Sequence, residues 1–178
     1  MTYTNGPSPD RHPREKSLAA SFPPAAGTLI CVSQHFDTMP LPAARDAVAP
    51  DGSDVRVLLR LARGSMAHFE LDAGRTSRAV THRRVDEIWY VLSGRGQMWR
   101  RQAGRQQTVA LEPGTCVSIP AGTHFQFRSS GPGPLAIVGV TMPPWPGDGE
   151  AREVPGAWPA NASAPPANAP APPPDGPG

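Results

Sequence analysis

Two histidines and one glutamate stand out as groups that could do chemistry together. Four residues separate His82 from Glu87, and His124 follows a later turn that contains proline and glycine. Two neutral imidazoles and a carboxylate can hold a borderline divalent metal on one side and leave its other positions open to water or substrate. The same side chains can instead form a hydrogen-bonded polar cluster without a metal. The sequence leaves both interpretations open.

The elements that must position these residues are short β-strands. Nine segments separated by Gly- and Pro-containing turns alternate as strands do. They span residues 55–61, 66–71, 78–84, 87–92, 97–101, 107–111, 116–119, 124–128 and 135–141. Strands at this spacing, with no helical stretch of useful length, predict an all-β antiparallel sandwich or barrel.

Two stretches resemble the paired motifs of the cupin superfamily. The first motif, Gly-x5-His-x-His-x3–4-Glu-x6-Gly, is matched by Gly74, His82, Glu87 and Gly94. The second, Gly-x5-Pro-x-Gly, a short gap, His-x3-Asn, is matched by Gly114, Pro120, Gly122 and His124. The resemblance implies a double-stranded β-helix, or jelly-roll barrel, over residues 28–147. It leaves residues 1–27 and 148–178 as tails.

The chain departs from the two motifs at three positions in total, one in the first motif and two in the second. Val80 stands at the first His position, and Arg128 stands where the terminal Asn is usual. Only Thr123 separates Gly122 from His124, where two residues are usual. These departures fall within the expected site and leave the order of the two motifs intact.

The resemblance also implies a cofactor. Family members typically bind a divalent metal, such as iron, manganese, nickel or zinc, through three histidines and one glutamate. Carried over residue by residue, the metal ligands here are His82, Glu87 and His124, with Val80 in place of the remaining histidine. We expect the loss of one ligand to weaken metal binding, because each ligand adds a bond and a geometric restraint.

Three further side chains are candidates for contacting a substrate. Trp89 shares the strand face of Glu87, and Gln126 and Arg128 share that of His124. In the family geometry this face points into the barrel, where a guanidinium needs an anionic partner. That partner could be Glu87, which would compete with the metal, or a carboxylate or phosphate of a ligand. We therefore predict that Arg128 helps to bind a small anionic molecule. In the alternative it lies at the barrel mouth and reaches water, and Trp89 is plain core packing.

Composition narrows the possible partners and the compartment. The net charge is +2 with Lys and Arg scattered along the chain, which argues against nucleic acid, and no apolar run is long enough to cross a membrane. Two cysteines far apart, Cys31 and Cys116, indicate free thiols in the cytoplasm. Of the 24 prolines, half follow Thr141, so we predict a disordered Pro/Ala-rich tail over residues 148–178 and a disordered segment over residues 1–27.

An apolar strand face predicts a homodimer. Ile88, Tyr90 and Leu92 lie on the face opposite Glu87, and an apolar face needs cover. A second subunit or the N-terminal segment could supply that cover.

Three functions are compatible with these features. The first is a metal-dependent enzyme on a small molecule, with the metal as a Lewis acid or an oxygen-binding centre. The second is a non-catalytic module that binds a sugar or a carboxylate without metal. The third is a structural barrel with a vestigial site. The sequence favours a metal-binding small-molecule cupin only slightly and does not decide whether it is catalytic.

Overall fold

The computed structural model describes residues 36–162, and these form two antiparallel β-sheets. Eleven strands run in the order β1 Ala47–Val48, β2 Asp54–Leu61, β3 Gly64–Leu71, β4 Val80–His82, β5 Asp86–Ser93, β6 Gly96–Gln102, β7 Arg105–Leu111, β8 Cys116–Ile119, β9 His124–Ser129, β10 Leu135–Met142 and β11 Ala151–Glu153. Within this part of the chain no helix is long and apolar enough to cross a membrane. The predictions for residues 1–27 and 163–178 lie outside the described residues.

The strands alternate between the two sheets in a way that confirms the predicted jelly roll. The six-stranded sheet has the order β1-β2-β3-β10-β5-β8, and the five-stranded sheet has the order β11-β4-β9-β6-β7. Each sheet therefore contains strands from both halves of the chain, so the sheets must fold as one unit. The nine predicted strands correspond to β2–β10, and only the short β1 and β11 were missed.

The space between the sheets is filled by apolar and aromatic side chains. The rings of Phe125 and Phe127 pack edge-on against Trp89, with centroid distances of 5.9 and 4.9 Å. Phe69 stacks on the other side of the Trp89 ring at 5.9 Å. Trp89, Phe125 and Phe127 are almost fully buried, so the inward face of β9 is its phenylalanine face.

The chain does not leave the barrel at Asp148, where we predicted the tail to begin. Residues 150–162, here called the strap, return across the barrel, and β11 within it pairs with β4. The strap starts at Glu150, whose buried carboxylate accepts the backbone N–H groups of Arg84 at 2.6 Å and Val85 at 2.9 Å. Burial raises the pKa of Glu150, but these hydrogen bonds outweigh burial and hold the pKa below its ordinary value.

One side chain, Gln126, holds the middle of the strap. Its amide oxygen accepts the backbone N–H groups of Ala157 and Trp158, each at 2.9 Å. Its amide nitrogen donates to the carbonyls of Ser77 and Trp158, each at 2.8 Å. A side chain on Gly156 would collide with the Gln126 amide, so glycine allows the strap to approach this closely.

We expect Gln126→Ala to destabilise the fold by about 2–3 kcal/mol, because it leaves buried backbone groups of the strap without partners. Urea unfolding measures this loss. The matched control is Gln106→Ala, a glutamine on the exposed part of β7, which should change stability by no more than about 0.5 kcal/mol. Equal losses in the two variants would contradict the role of Gln126 in holding the strap.

Candidate functional site

Two of the three predicted metal ligands meet inside the barrel. β4 directs His82 inward and β5 directs Glu87 inward, and these residues are 5% and 3% exposed. His82 Nδ1 lies 3.5 Å from Glu87 Oε2. The first motif therefore places its histidine and its glutamate together, as predicted.

The third predicted ligand, His124, does not join them, and this prediction is corrected by the strand register. In the pairing of β4 with β9, His124 lies opposite Thr81 and Phe125 lies opposite Val80. Residues opposite each other share a face, so His124 points outward while Phe125 points to the His82 side. There His124 Nδ1 accepts a hydrogen bond from Arg101 Nη2 at 3.1 Å, which leaves the ring proton on Nε2.

The cause is the short gap in the second motif. Because Thr123 alone stands between Gly122 and His124, the histidine lies one residue closer to Gly122 than the family spacing places it. Successive residues of a strand point to opposite faces, so His124 faces outward and the next residue, Phe125, faces inward. The family's histidine position inside the barrel is consequently occupied by Phe125.

The residues inside the barrel do not fit the metal that the family implies. Of the four expected ligand positions, two hold the apolar Val80 and Phe125, which cannot coordinate an ion. His82 and Glu87 alone remain, and no group of three or more potential ligands occurs within residues 36–162. Two protein ligands fall short of the three or four that resident metal ions usually have.

Burial sets the protonation of the inner pair. Desolvation raises the pKa of Glu87 to about 8. The indole N–H of Trp89 lies near the carboxyl without a full hydrogen bond and lowers this pKa, whereas the carboxylate of Asp51 raises it further. Desolvation likewise lowers the pKa of His82 to about 4, against the attraction of Glu150. Near neutral pH the carboxyl is therefore mostly protonated and the imidazole is neutral, so their contact is not an ion pair.

The surroundings of this pair are tightly packed. The His82 ring lies edge-on between Phe125 and Trp145, each with a centroid distance of 5.1 Å. A methyl group added at Gly139 would come within 2.8 Å of the Glu87 carboxyl and within 2.7 Å of Phe69. The core is therefore closely packed against the side chain of Glu87.

The predicted substrate-binding residues have other roles. Trp89 is a core side chain, packed between aromatic rings. Gln126 and Arg128 point outward with His124, because they share its face of β9. Gln126 binds the strap, and the Arg128 guanidinium lies 4.4 Å from the Trp158 ring centroid and donates from Nε to Gln97 at 3.0 Å. Arg128 is thus balanced by an aromatic ring and an amide, not by an anion inside the barrel.

A feature that sequence reasoning missed is a concave surface beside the β6–β7 hairpin, here called the arginine groove. It has a volume of about 670 Å³. Its lining consists of Arg100, Arg101, Gln102, Arg105, Gln106, Gln107, Ser118, Pro120 and Thr123. Most basic residues are scattered along the sequence, but three arginines within six residues indicate a local concentration of positive charge at this surface.

Comparison with known proteins places the fold. The cupin domain model matches residues 67–141, and no curated protein matches the chain. Similar solved structures include a double-stranded β-helix protein from Klebsiella pneumoniae, with 18% identity, 61% of this chain and 89% of that chain covered and a TM-score of 0.50.

Two further solved structures share the same fold. The nucleoside dehydratase Pac13 of Streptomyces has 15% identity, with 66% of this chain and 92% of that chain covered and a TM-score of 0.52. The capsular polysaccharide assembling protein CapF from Staphylococcus aureus has 16% identity, with 66% and 35% covered and a TM-score of 0.53. With the jelly roll and the two motifs, the match of the cupin domain model to residues 67–141 supports membership of the cupin superfamily, and the solved structures show the shared fold.

Proposed function

We propose that this chain is a non-catalytic, small-molecule-binding cupin that works without a metal in its barrel. The observation that carries the proposal is the position of Phe125, which fills the place of a ligand beside His82 and Glu87. With Val80 at another ligand position, the barrel presents an apolar wall where a metal enzyme needs donors.

The protonation of the inner pair supports the same conclusion. Burial raises the pKa of Glu87 to about 8, so a metal would have to displace the carboxyl proton in order to bind there. The packing of Trp145 over His82 also leaves the pair without an approach for substrate. We assign ligand binding instead to the end of the barrel at the β6–β7 hairpin, where polar side chains line a groove.

Metal analysis tests this function. We expect the full-length protein, purified without chelator, to contain far less than one metal ion per chain by elemental analysis. The double variant Val80→His, Phe125→His supplies four donors around one point and should bind Co²⁺ with a visible absorption band. Stoichiometric metal in the wild type, lost in His82→Ala but kept in the outward-facing control His124→Ala, would refute the proposal.

The inner pair also predicts a pH dependence of stability. Glu87 binds its proton more tightly in the folded state than in the unfolded state, so it makes stability fall as pH rises from 4.5 to about 8. His82 binds its proton more weakly when folded, so it makes stability rise with pH from about 4 to 6.5. The two slopes oppose each other below pH 6.5, and the fall due to Glu87 dominates above it.

We therefore expect the wild type to lose at most about 2 kcal/mol between pH 6.5 and 8, at ~1.4 kcal/mol for each pH unit per proton. Glu87→Gln should remove this loss, since glutamine does not titrate. Urea unfolding across this pH range provides the measurement, with the exposed Glu112→Gln as the control that keeps the wild-type slope. Identical slopes in the wild type and Glu87→Gln would contradict a protonated Glu87.

We further propose that a second copy of the chain covers the outer face of β5. Ile88, Tyr90 and Leu92 are 49%, 48% and 44% exposed on this face, and Met142 beside them is 37% exposed. Half-buried valines of β10 lie opposite two of them and continue the apolar surface. These side chains carry no charge, so two copies can meet through the same patch without like-charge repulsion.

Light scattering during size-exclusion chromatography tests the dimer. We expect the wild type to elute as a dimer and Ile88→Glu to elute as a monomer, because each copy would bury a charge in the interface. Leu61→Glu places the same charge on an exposed leucine at the β2–β3 turn and should remain dimeric. A monomeric wild type at micromolar concentration would refute this assembly.

A further inference from the structure

The arginine groove carries positive charge that no carboxylate offsets. Elsewhere in the described chain, four arginines lie within 3.7 Å of an Asp or Glu oxygen: Arg45, Arg56, Arg84 and Arg95. None of the groove's lining residues is acidic, and none of its three arginines has an ion pair among residues 36–162. Uncompensated charge in a concave surface attracts anions.

Arg100 is held in a fixed position by neutral groups. Its Nη1 donates to the backbone carbonyl of Ser118 at 2.7 Å, and its Nη2 donates to Gln107 Oε1 at 3.1 Å. These acceptors orient the guanidinium without neutralising it. A guanidinium has five N–H donors, so others are left to bind an oxyanion.

The strand register brings a second guanidinium to the same face. Arg100 lies opposite Gln107, and Gln102 lies opposite Arg105, two residues further along the hairpin. Residues at this spacing share one face, so Arg100 and Arg105 flank the same part of the groove. Arg101 belongs to the other face, where it donates to His124.

The remaining lining residues indicate what accompanies the anion. Gln102, Gln107 and Ser118 offer amide and hydroxyl groups that match hydroxyl groups of a ligand. None of the lining residues is aromatic, which gives no stacking platform for a base. The groove is wide and open to solvent, and its volume of about 670 Å³ lies within the range of small-molecule sites.

We propose that the arginine groove binds a small polyhydroxylated molecule through its oxyanion, either a phosphate or a carboxylate, with Arg100 and Arg105 as the anion-binding residues. This deepens the proposed metal-free binding function and rests on it. The His82–Glu87 pair takes no part, because neither residue lines the groove.

Calorimetric titration of the full-length protein at low salt with EDTA tests the groove. The probes are glucose 6-phosphate, glucuronate and neutral glucose, so that the two oxyanions are distinguished from each other and from the sugar. We expect at least one anion to bind and glucose not to bind detectably. Higher salt should weaken the binding, because exposed charges are screened.

Substitutions locate the binding residues. Arg100→Ala and Arg105→Ala should each weaken anion binding by at least about tenfold, because each removes charge-assisted hydrogen bonds. Arg105 is exposed, so its variant keeps the fold even if the loss of Arg100 disturbs the contact with Ser118. The control Arg63→Ala removes the same charge at the exposed β2–β3 turn and should stay within roughly twofold of the wild type.

Two results would refute anion binding in the groove. Either neither anion binds, or an anion binds equally well to Arg105→Ala and to the wild type. A different result would overturn only the proposed function. If anion binding requires added divalent metal and is still impaired in Arg105→Ala, the groove is supported and metal-independent binding is refuted.

Discussion

The turn that leads into β9 determines which side chains of this strand lie inside the barrel and which lie outside. Gly122 adopts a left-handed conformation with φ 78°, and its N–H donates to the His82 carbonyl at 2.8 Å. Thr123 N–H donates back to the Pro120 carbonyl at 3.0 Å, so β9 has to begin directly at His124. This start places one set of β9 side chains inside the barrel and the other set outside, and the positions of the core, the strap and the Arg101–His124 contact follow from it.

The apolar interior and the charged exterior are two results of the same register. Inward phenylalanines exclude water from Glu87 and His82, and the loss of solvation holds both in their neutral forms. Outward polar residues of β9 instead hold other segments of the chain at its surface. The positive charge of Arg100, Arg101 and Arg105, which have no ion pair among residues 36–162, lies around the β6–β7 hairpin.

The strands could be predicted from the sequence, but the direction of the key strand was predicted wrongly. Alternation and turn residues located β2–β10 because each strand carries its own local signal. Alternation shows only which residues share a face, and the family motif led us to turn His124 inward. Burial of Phe125 and Phe127, the larger apolar residues, would have given the correct answer.

The strap escaped prediction for a different physical reason. β11 has three residues, and the rest of the strap is held by backbone groups that bond to a side chain about 31 positions earlier, Gln126. Such contacts leave no periodic pattern, and a Pro/Ala-rich composition resembles that of an unstructured segment. Glu150, the residue that anchors its start, has no partner nearby in the sequence.

The strap also restricts how copies of this barrel can assemble. A jelly roll has two outer sheet faces. A barrel that associates with other copies through both faces can form an open assembly that keeps growing. Here the chain's own residues 150–162 lie along the five-stranded sheet, with Trp158 over Arg128 and Ala157 bonded to Gln126. In the proposed dimer, association through the remaining face closes after two copies, and the strap leaves less of the second face available to a further copy.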